Sequence, residues 1–419
     1  MEKFEVSATV DSANRHGPSR KRSSPAPGHA ERSPVLGLYL HLPFCLSKCH
    51  YCDFNSRPLG GDEYLLERYL AGMRRELELR SQVEDTAGRD AQTLYFGGGT
   101  PTLASAQQLT ELITVSRTCF PFEESAEISI EANPGTVEET KLQALRQAGV
   151  NRLSLGVQSL DDILLRFIGR THTAEDARRA IELARSAGFD NLSLDLMFAI
   201  PGQSEAQWAK TLEVAISFQP EHLSVYGMTI EPGTRFEELA RRGELAPCGE
   251  EQELAMFQQA RRVLSEAGYE HYEISYYARW AEKNANRRCR HNVIYWTDGD
   301  YLGVGAGAHS CINGVRWANH PSPECYLELV EADLLPVAWV ERLSPRRALG
   351  QAIMLNLRLG EGVQLEELGK RYGLEAKAVF AKQITSLTEH GLAELEAGRL
   401  RLSERGLPLA NEVLIRFLA

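Results

Sequence analysis

Leu38-Tyr39-Leu40-His41-Leu42-Pro43-Phe44-Cys45-Leu46-Ser47-Lys48-Cys49-His50-Tyr51-Cys52 runs from an apolar, strand-like segment into a loop with three cysteines at C-x3-C-x2-C spacing. The strand runs from Val35 to Pro43. Three thiols in so short a loop are a ligand density that packing does not require, and thiolates this close suit one soft metal centre. Cysteine is the usual protein ligand of iron–sulfur clusters. Three ligands are one short for a four-iron cubane, so one iron is left open, which suggests chemistry more than electron storage. Zinc is the rival reading, but Asp53-Phe54 follows and no second cysteine pair stands at knuckle spacing. Buried core cysteines are the plainest alternative.

Working outward, apolar strands alternate with amphipathic helices. The strand-like runs are Leu36–Leu42, Thr93–Phe96, Glu127–Ala132, Arg152–Val157, Asn191–Ile200 and His222–Thr229. Helical patterns fill the gaps at Tyr64–Gln82, Ala106–Arg117, Glu138–Ala148, Ala174–Ala187 and Glu205–Phe218, several ending in glycine before the next strand. Such βα alternation means parallel strands with crossover helices. Six units are too few for the eight-unit barrel, so the expected fold is α/β, an open six-stranded (β/α)6 barrel.

Polar residues gather at one end of these strands. Gly97-Gly98-Gly99-Thr100-Pro101 follows the second, Glu131 closes the third, Gln158 closes the fourth and Asp195 sits in the fifth. In βα barrels the C-terminal strand ends carry the active site, so these residues should share one mouth with the cysteine loop. The glycines permit close backbone approach and are expected to leave N–H groups free for a ligand's carboxylate or amine. Singly, each has a bland explanation: a solvated strand end for Glu131, a helix-end charge for Arg170. Gln158 and Asp195 interrupt apolar runs, where a buried polar group needs a partner and a ligand can be one.

A second signature is Cys289-Arg290-His291-Asn292-Val293-Ile294-Tyr295-Trp296, followed by the glycine-rich Tyr301–Ser310. A histidine beside a cysteine, with Tyr and Trp a turn away, suits a flat aromatic ligand: one axial donor and ring faces to stack on. A satisfied structural histidine is the plain reading of His291. His309 and Cys311 read as structural residues of the glycine-rich turn. After Glu341, helical patterns at Arg346–Leu359, Leu365–Tyr372 and Ala376–His390 precede a glycine-turned alternating run, Leu392–Leu402, and a closing helix, Leu407–Leu418. This is a winged-helix-like α+β unit. Its charges nearly balance and no basic face develops, which favours a lid or docking role over nucleic-acid binding or a DNA-binding iron or redox sensor.

The chain of 419 residues, 43% apolar, is long enough for a large and a small domain. The expected division is a disordered tail over 1–34, rich in Ser, Pro and Arg; a partial barrel over 35–270; a connecting region with the aromatic motif and glycine-rich turn over 271–340; and the winged-helix-like unit over 341–419. A net charge of −11 disfavours a large nucleic-acid footprint. Eight cysteines in a chain this long do not form a disulfide framework, no secretory signal is seen, and no apolar run is long enough to span a membrane; a reduced, cytoplasmic protein is expected.

The cysteine spacing and the strand before it resemble the radical S-adenosylmethionine (radical SAM) superfamily. Taken with the barrel-mouth residues, the chain from about Leu36 onward resembles its coproporphyrinogen III oxidase-like branch, HemN and HemW. The resemblance implies a [4Fe–4S] cluster on Cys45, Cys49 and Cys52. It implies SAM held by Tyr39, Gly99, Thr100, Glu131, Gln158, Arg170 and Asp195. HemN-type oxidases show a further cysteine two residues after the third; Phe54 stands there, as in HemW heme chaperones. H-N-x-x-Y-W, intact here, resembles the motif associated with heme in that family, implying heme near His291, Asn292, Tyr295 and Trp296, with His291 or Cys289 as iron ligand. The expected function is therefore a heme chaperone without coproporphyrinogen oxidase activity. The alternative is an oxygen-independent coproporphyrinogen III oxidase, which the SAM residues favour. The implied partners are heme, SAM, heme-accepting apoproteins and an electron donor to the cluster. Nucleic acid is not among them, and transient membrane association is compatible with the sequence.

Overall fold

Six parallel strands lie side by side in chain order at the centre of the sheet: Val35–Leu42, Asp90–Gly98, Phe122–Ala132, Arg152–Gln158, Leu192–Phe198 and His222–Gly227. The computed structural model describes residues 35–279 and 287–418; the tail expected over 1–34 lies outside the described residues. Strictly sequential order makes every crossover run the same way, so all the helices cover one face of the sheet. These are Glu63–Ser81, Ala106–Cys119, Glu139–Gln147, Ala174–Ser186 and Glu205–Ser217. Three of them begin with a reciprocal capping box, at Ser105, Thr173 and Ser204, which satisfies N–H groups that a helix start otherwise leaves open.

The strands alternate strictly. Leu38, Leu40, Leu94, Phe96, Ile128, Ile130, Leu153, Leu155, Leu194, Leu196, Leu223 and Val225 are buried in one core with the helices. Their sequence neighbours turn to the opposite, inner face, and there stand Tyr39, Tyr95, Glu131, Ser154, Asp195 and Ser224 around a common cavity. An apolar outer row and a polar inner row are what a sheet with one packed face and one ligand-bearing face requires.

The sheet extends to twelve strands. On one side Asp300–Val304 pairs in parallel with the first strand, Leu36 opposite Asp300 and Leu40 opposite Val304. Antiparallel strands His309–Ile312, Val315–Asn319 and Val337–Arg342 continue outward. On the other side Tyr276–Arg279 and Tyr269–Glu273 pair beyond the sixth strand. Residues 271–340 therefore contribute strands to both flanks of the barrel.

The C-terminal unit has its own core, from Leu349 to Phe417, and a three-stranded sheet of Val363–Gln364, Arg399–Leu402 and Ala393–Glu396. The helix expected over Ala376–His390 is two helices, Ala376–Val379 and Ala381–Glu389, broken at Phe380. The Phe380 ring is buried, with Phe417 on one side and the Arg346 guanidinium over it, and holding it there costs the regular turn. The closing helix is likewise reduced to Ala410–Leu414 between two 3-10 turns.

Candidate functional site

The cysteine loop is tied down from several directions. His50 N donates to Ile168 O at 3.0 Å, Phe236 N donates to His50 O at 2.9 Å, and Lys48 Nζ donates to the carbonyls of Phe54 and Ser56 at 2.6 and 2.9 Å. Cys45, Cys49 and Cys52 are half-buried and unbridged. Arg170 directs Nη1 to Cys49 Sγ at 3.6 Å and Nη2 to Asn133 Oδ1 and Gly156 O, at 2.5 and 2.6 Å. Asn133 in turn donates to Thr100 Oγ1 at 2.8 Å. The Arg170 guanidinium thus sits against the sulfur of one cysteine of the loop. Among the described residues no three His, Cys, Asp or Glu side chains are grouped as for a single metal ion. A cubane places each cysteine on a different iron, so the three-thiol donor set fits a cluster.

The triple glycine works differently from its expected role. Gly99 N donates to Leu42 O at 2.8 Å, Thr100 N to Phe44 O at 2.7 Å and Gly98 N to Glu131 Oε2 at 3.2 Å. These amides are engaged, not free. The glycines are needed for closeness: a Cβ on Gly99 would stand 2.5 Å from Phe44 O, and Gly98, at φ +110°, lies over the His41 ring.

Inside the barrel a cavity of about 210 Å³ is lined by Tyr39, Tyr95, Glu131, Arg152, Asp195, Tyr226, His291 and Asn292, among others. Glu131 accepts from Tyr95 Oη at 2.8 Å, and burial together with the nearby Asp195 carboxylate pushes its pKa up to about 7. Asp195 is also raised, by burial, although Ser224 and Ser154 hydroxyls hydrogen-bond it, the latter at 3.1 Å. Neither carboxylate has an ion-pair partner among the described residues. The Arg152 and Arg170 charges offset the Asp195 shift only in part, and two buried carboxylates held above their ordinary range suit a ligand carrying a sulfonium or ammonium. SAM carries both. Gln158, at φ +61° where the strand register slips, and Arg170 belong to the cysteine side of the mouth and line neither cavity described here.

The helix Arg290–Trp296 is pinned by Glu127 of the third strand, which accepts from His291 N at 3.1 Å and Arg290 N at 3.2 Å. The His291 ring is buried and both its nitrogens are taken, by Thr93 Oγ1 at 2.7 Å and Tyr295 Oη at 2.6 Å. Burial lowers its pKa to about 3. Cys289 is buried against Glu127 and Arg152, with its thiol pushed up to about 12 by burial first and the Glu127 charge second. Neither expected donor is presented to the larger cleft of about 520 Å³, whereas Tyr295 and Trp296 both line it. That cleft runs from Tyr39, Gly98 and Glu131 past exposed Phe54 to Tyr301, His309 and Arg316, with Leu355 of the C-terminal unit in its wall. His309, expected to be structural, is exposed and faces it. Sequence reading also missed Glu127, Asn133 and Arg152. The two-residue alternation that sorts Leu153 from Ser154 was the signal for Glu127 and Arg152; nothing local marked Asn133.

A parallel barrel with such a cysteine loop at its mouth and paired carboxylates inside defines a radical SAM protein, and residues 39–215 match the Radical SAM superfamily. Residues 343–409 match the HemN C-terminal domain. The chain is 36% identical over 390 residues to the heme chaperone HemW of Bacillus subtilis (strain 168), spanning 92% of this chain and 99% of that protein. It is 35% identical to the heme chaperone HemW of Mycobacterium tuberculosis (strain CDC 1551 / Oshkosh) over 394 residues, 93% and 95% of the two chains. It belongs to the HemW family of heme chaperones. The solved coproporphyrinogen III oxidase HemN of Escherichia coli, described as a radical SAM enzyme, matches with a TM-score of 0.79 at 25% identity, over 92% of this chain and 91% of that one. Superfamily membership implies a [4Fe–4S] cluster and SAM. No helix among the described residues is long and apolar enough to cross a membrane.

Proposed function

We propose that this protein binds heme in the 520 Å³ cleft and passes it to an acceptor apoprotein in the cytoplasm, while Cys45, Cys49 and Cys52 hold a cluster and the barrel mouth holds SAM. The observation that carries this is the cleft itself. Its aromatic walls, Tyr295, Trp296 and Tyr301, and its openness to solvent beside the glycine-rich turn suit a flat ligand that must be handed on. When bound, the cluster would supply a redox-active iron centre with one coordination site left for SAM. This chain's own residues fix its setting. Arg170 anchors Cys49 through its Sγ, Asn133 links that guanidinium to Thr100, and Glu131 with Asp195 answers the positive charges of SAM. Tyr39, Gln158 and the Gly99 turn shape the approach. His291 and Cys289 stiffen the helix that presents Tyr295 and Trp296, and Asn292 faces the inner cavity.

Phe54, in place of the oxidase cysteine, stands 64% exposed at the cleft and supports a carrier without coproporphyrinogen oxidase activity. One sample decides. After anaerobic cluster reconstitution, heme titration, SAM cleavage and coproporphyrinogen III consumption are measured on the same protein. Stoichiometric heme uptake with no porphyrinogen turnover is expected; conversion to protoporphyrinogen IX with SAM consumption overturns the reading.

A further inference from the structure

The cleft contains imidazole or thiol groups from three residues: His41, Cys311 and His309. His41 is buried, its Nδ1 against Tyr39 Oη at 3.0 Å and its Nε2 against Asn55 O at 2.9 Å. Cys311 is buried. His309 differs from both: it is exposed, and its ring has no hydrogen-bond partner among the described residues. The strand register explains how it is held. His309 lies opposite Ala318, and Ala318 lies opposite Trp339, so a small residue separates two rings on one face. The rings meet across it, edge to face, with centroids 5.5 Å apart. An imidazole steadied by an aromatic edge, with its nitrogens directed at no protein group, is prepared to bind something else. Arg316 stands on the adjacent strand and also lines the cleft, and no carboxylate among the described residues pairs with it.

Resting on the heme-carrier reading above, we propose that His309 is the axial iron donor for the heme in this cleft and that Arg316 pairs with a heme propionate. Trp339 is the positioning residue behind the imidazole. A neutral imidazole is a common heme ligand, and a guanidinium matches a carboxylate in two hydrogen bonds. The assignment moves the iron from the buried Cys289–Trp296 helix, where the donors are occupied, to the open rim, where an acceptor protein can reach it.

Hemin titration of the full chain tests this, read by the Soret band and apparent Kd. In His309→Ala the band should shift and binding weaken by about tenfold or more, with free imidazole restoring the wild-type band. Arg316→Gln should weaken binding and leave the band position unchanged. A Cys289→Ala, His291→Ala double variant with wild-type circular dichroism should keep the band position even where affinity falls, because its lost groups support the cleft wall and do not reach the iron. If His309→Ala binds hemin with unaltered spectrum and affinity, or if the double variant alone loses the band, the donor assignment is overturned and the carrier reading stands. Failure of the wild-type chain to take up hemin overturns both.

Discussion

Glu131 shows how one side chain joins stability to ligand binding. Its pKa of about 7 lies above the ~4.3 of an unfolded glutamate. Between those values the unfolded chain holds fewer protons than the folded one, so ligand-free stability falls as pH rises through this window and levels off above it. Glu131→Gln removes this ionisation. Its melting temperature should gain on wild type between pH 5.5 and 8.5, by roughly 1–2 °C for each kcal/mol of ionisation cost removed. A gap that does not change with pH would show that the carboxyl ionises normally. Ligand binding has the opposite sign: a cation beside Glu131 favours the ionised form. SAM affinity of the cluster-loaded protein, followed by equilibrium binding, should therefore rise from pH 6 to pH 8 in wild type and stay flat in Glu131→Gln.

At the scale of elements, two long-range clamps decide where the site's parts sit, and each gives a measurable expectation. The second strand exits under the cysteine loop with no room to spare: a Cβ at Gly99 would meet Phe44 O at 2.5 Å, Phe44 N at 2.8 Å and Leu42 O at 2.9 Å. Those are backbone atoms and have no rotamer to escape into. Gly99→Ala should cost about 1–3 kcal/mol in denaturant unfolding and reduce the iron bound per chain after reconstitution. Wild-type iron content in that variant would mean the loop tolerates the shift. The other clamp is Glu127, which serves as the missing N-cap of the Arg290–Trp296 helix from a strand far away in sequence. Glu127→Ala leaves two N–H groups without an acceptor, about 1–3 kcal/mol each where they are buried. Hydrogen exchange in the helix peptide should accelerate well ahead of exchange in the barrel strands. Equal protection in the variant would assign the helix to packing alone.

For the whole molecule, the barrel was legible because its signal is local: each strand and helix declares itself within a dozen residues, and the cysteine spacing needs no partner to be recognised. Glu131 and Asp195 could be placed together because strand order follows chain order, while Tyr39 came only with the family resemblance. The surroundings of the aromatic motif are not legible in the sequence, for the opposite reason. His291 looks like a donor in isolation, and only Thr93, brought up from a distant strand, shows that its ring is already bonded. His309 looked structural because the pairing of Asp300–Val304 with the first strand, which places the glycine-rich turn beside the barrel mouth, is encoded by no short motif. The C-terminal unit closes the cleft through one such distant contact. Arg358 bonds Glu273 Oε1 at 2.7 to 2.8 Å and lies over the Trp296 ring at 4.4 Å, while Leu355 from the same segment enters the cleft wall. Glu273 is buried, and burial raises its pKa even with Arg358 opposing the shift. Removing the cation alone strands that carboxylate. Arg358→Met should destabilise by about 3–5 kcal/mol in urea at pH 8, and adding Glu273→Gln should recover much of the loss because the buried charge goes with it. If the contact couples the unit to the cleft, hemin should also dissociate faster from Arg358→Met in stopped-flow transfer to apomyoglobin, and the double variant should not restore the slow rate, since the guanidinium over Trp296 is still missing. Wild-type release from both variants, with the stability loss intact, would confine the C-terminal unit to holding the fold.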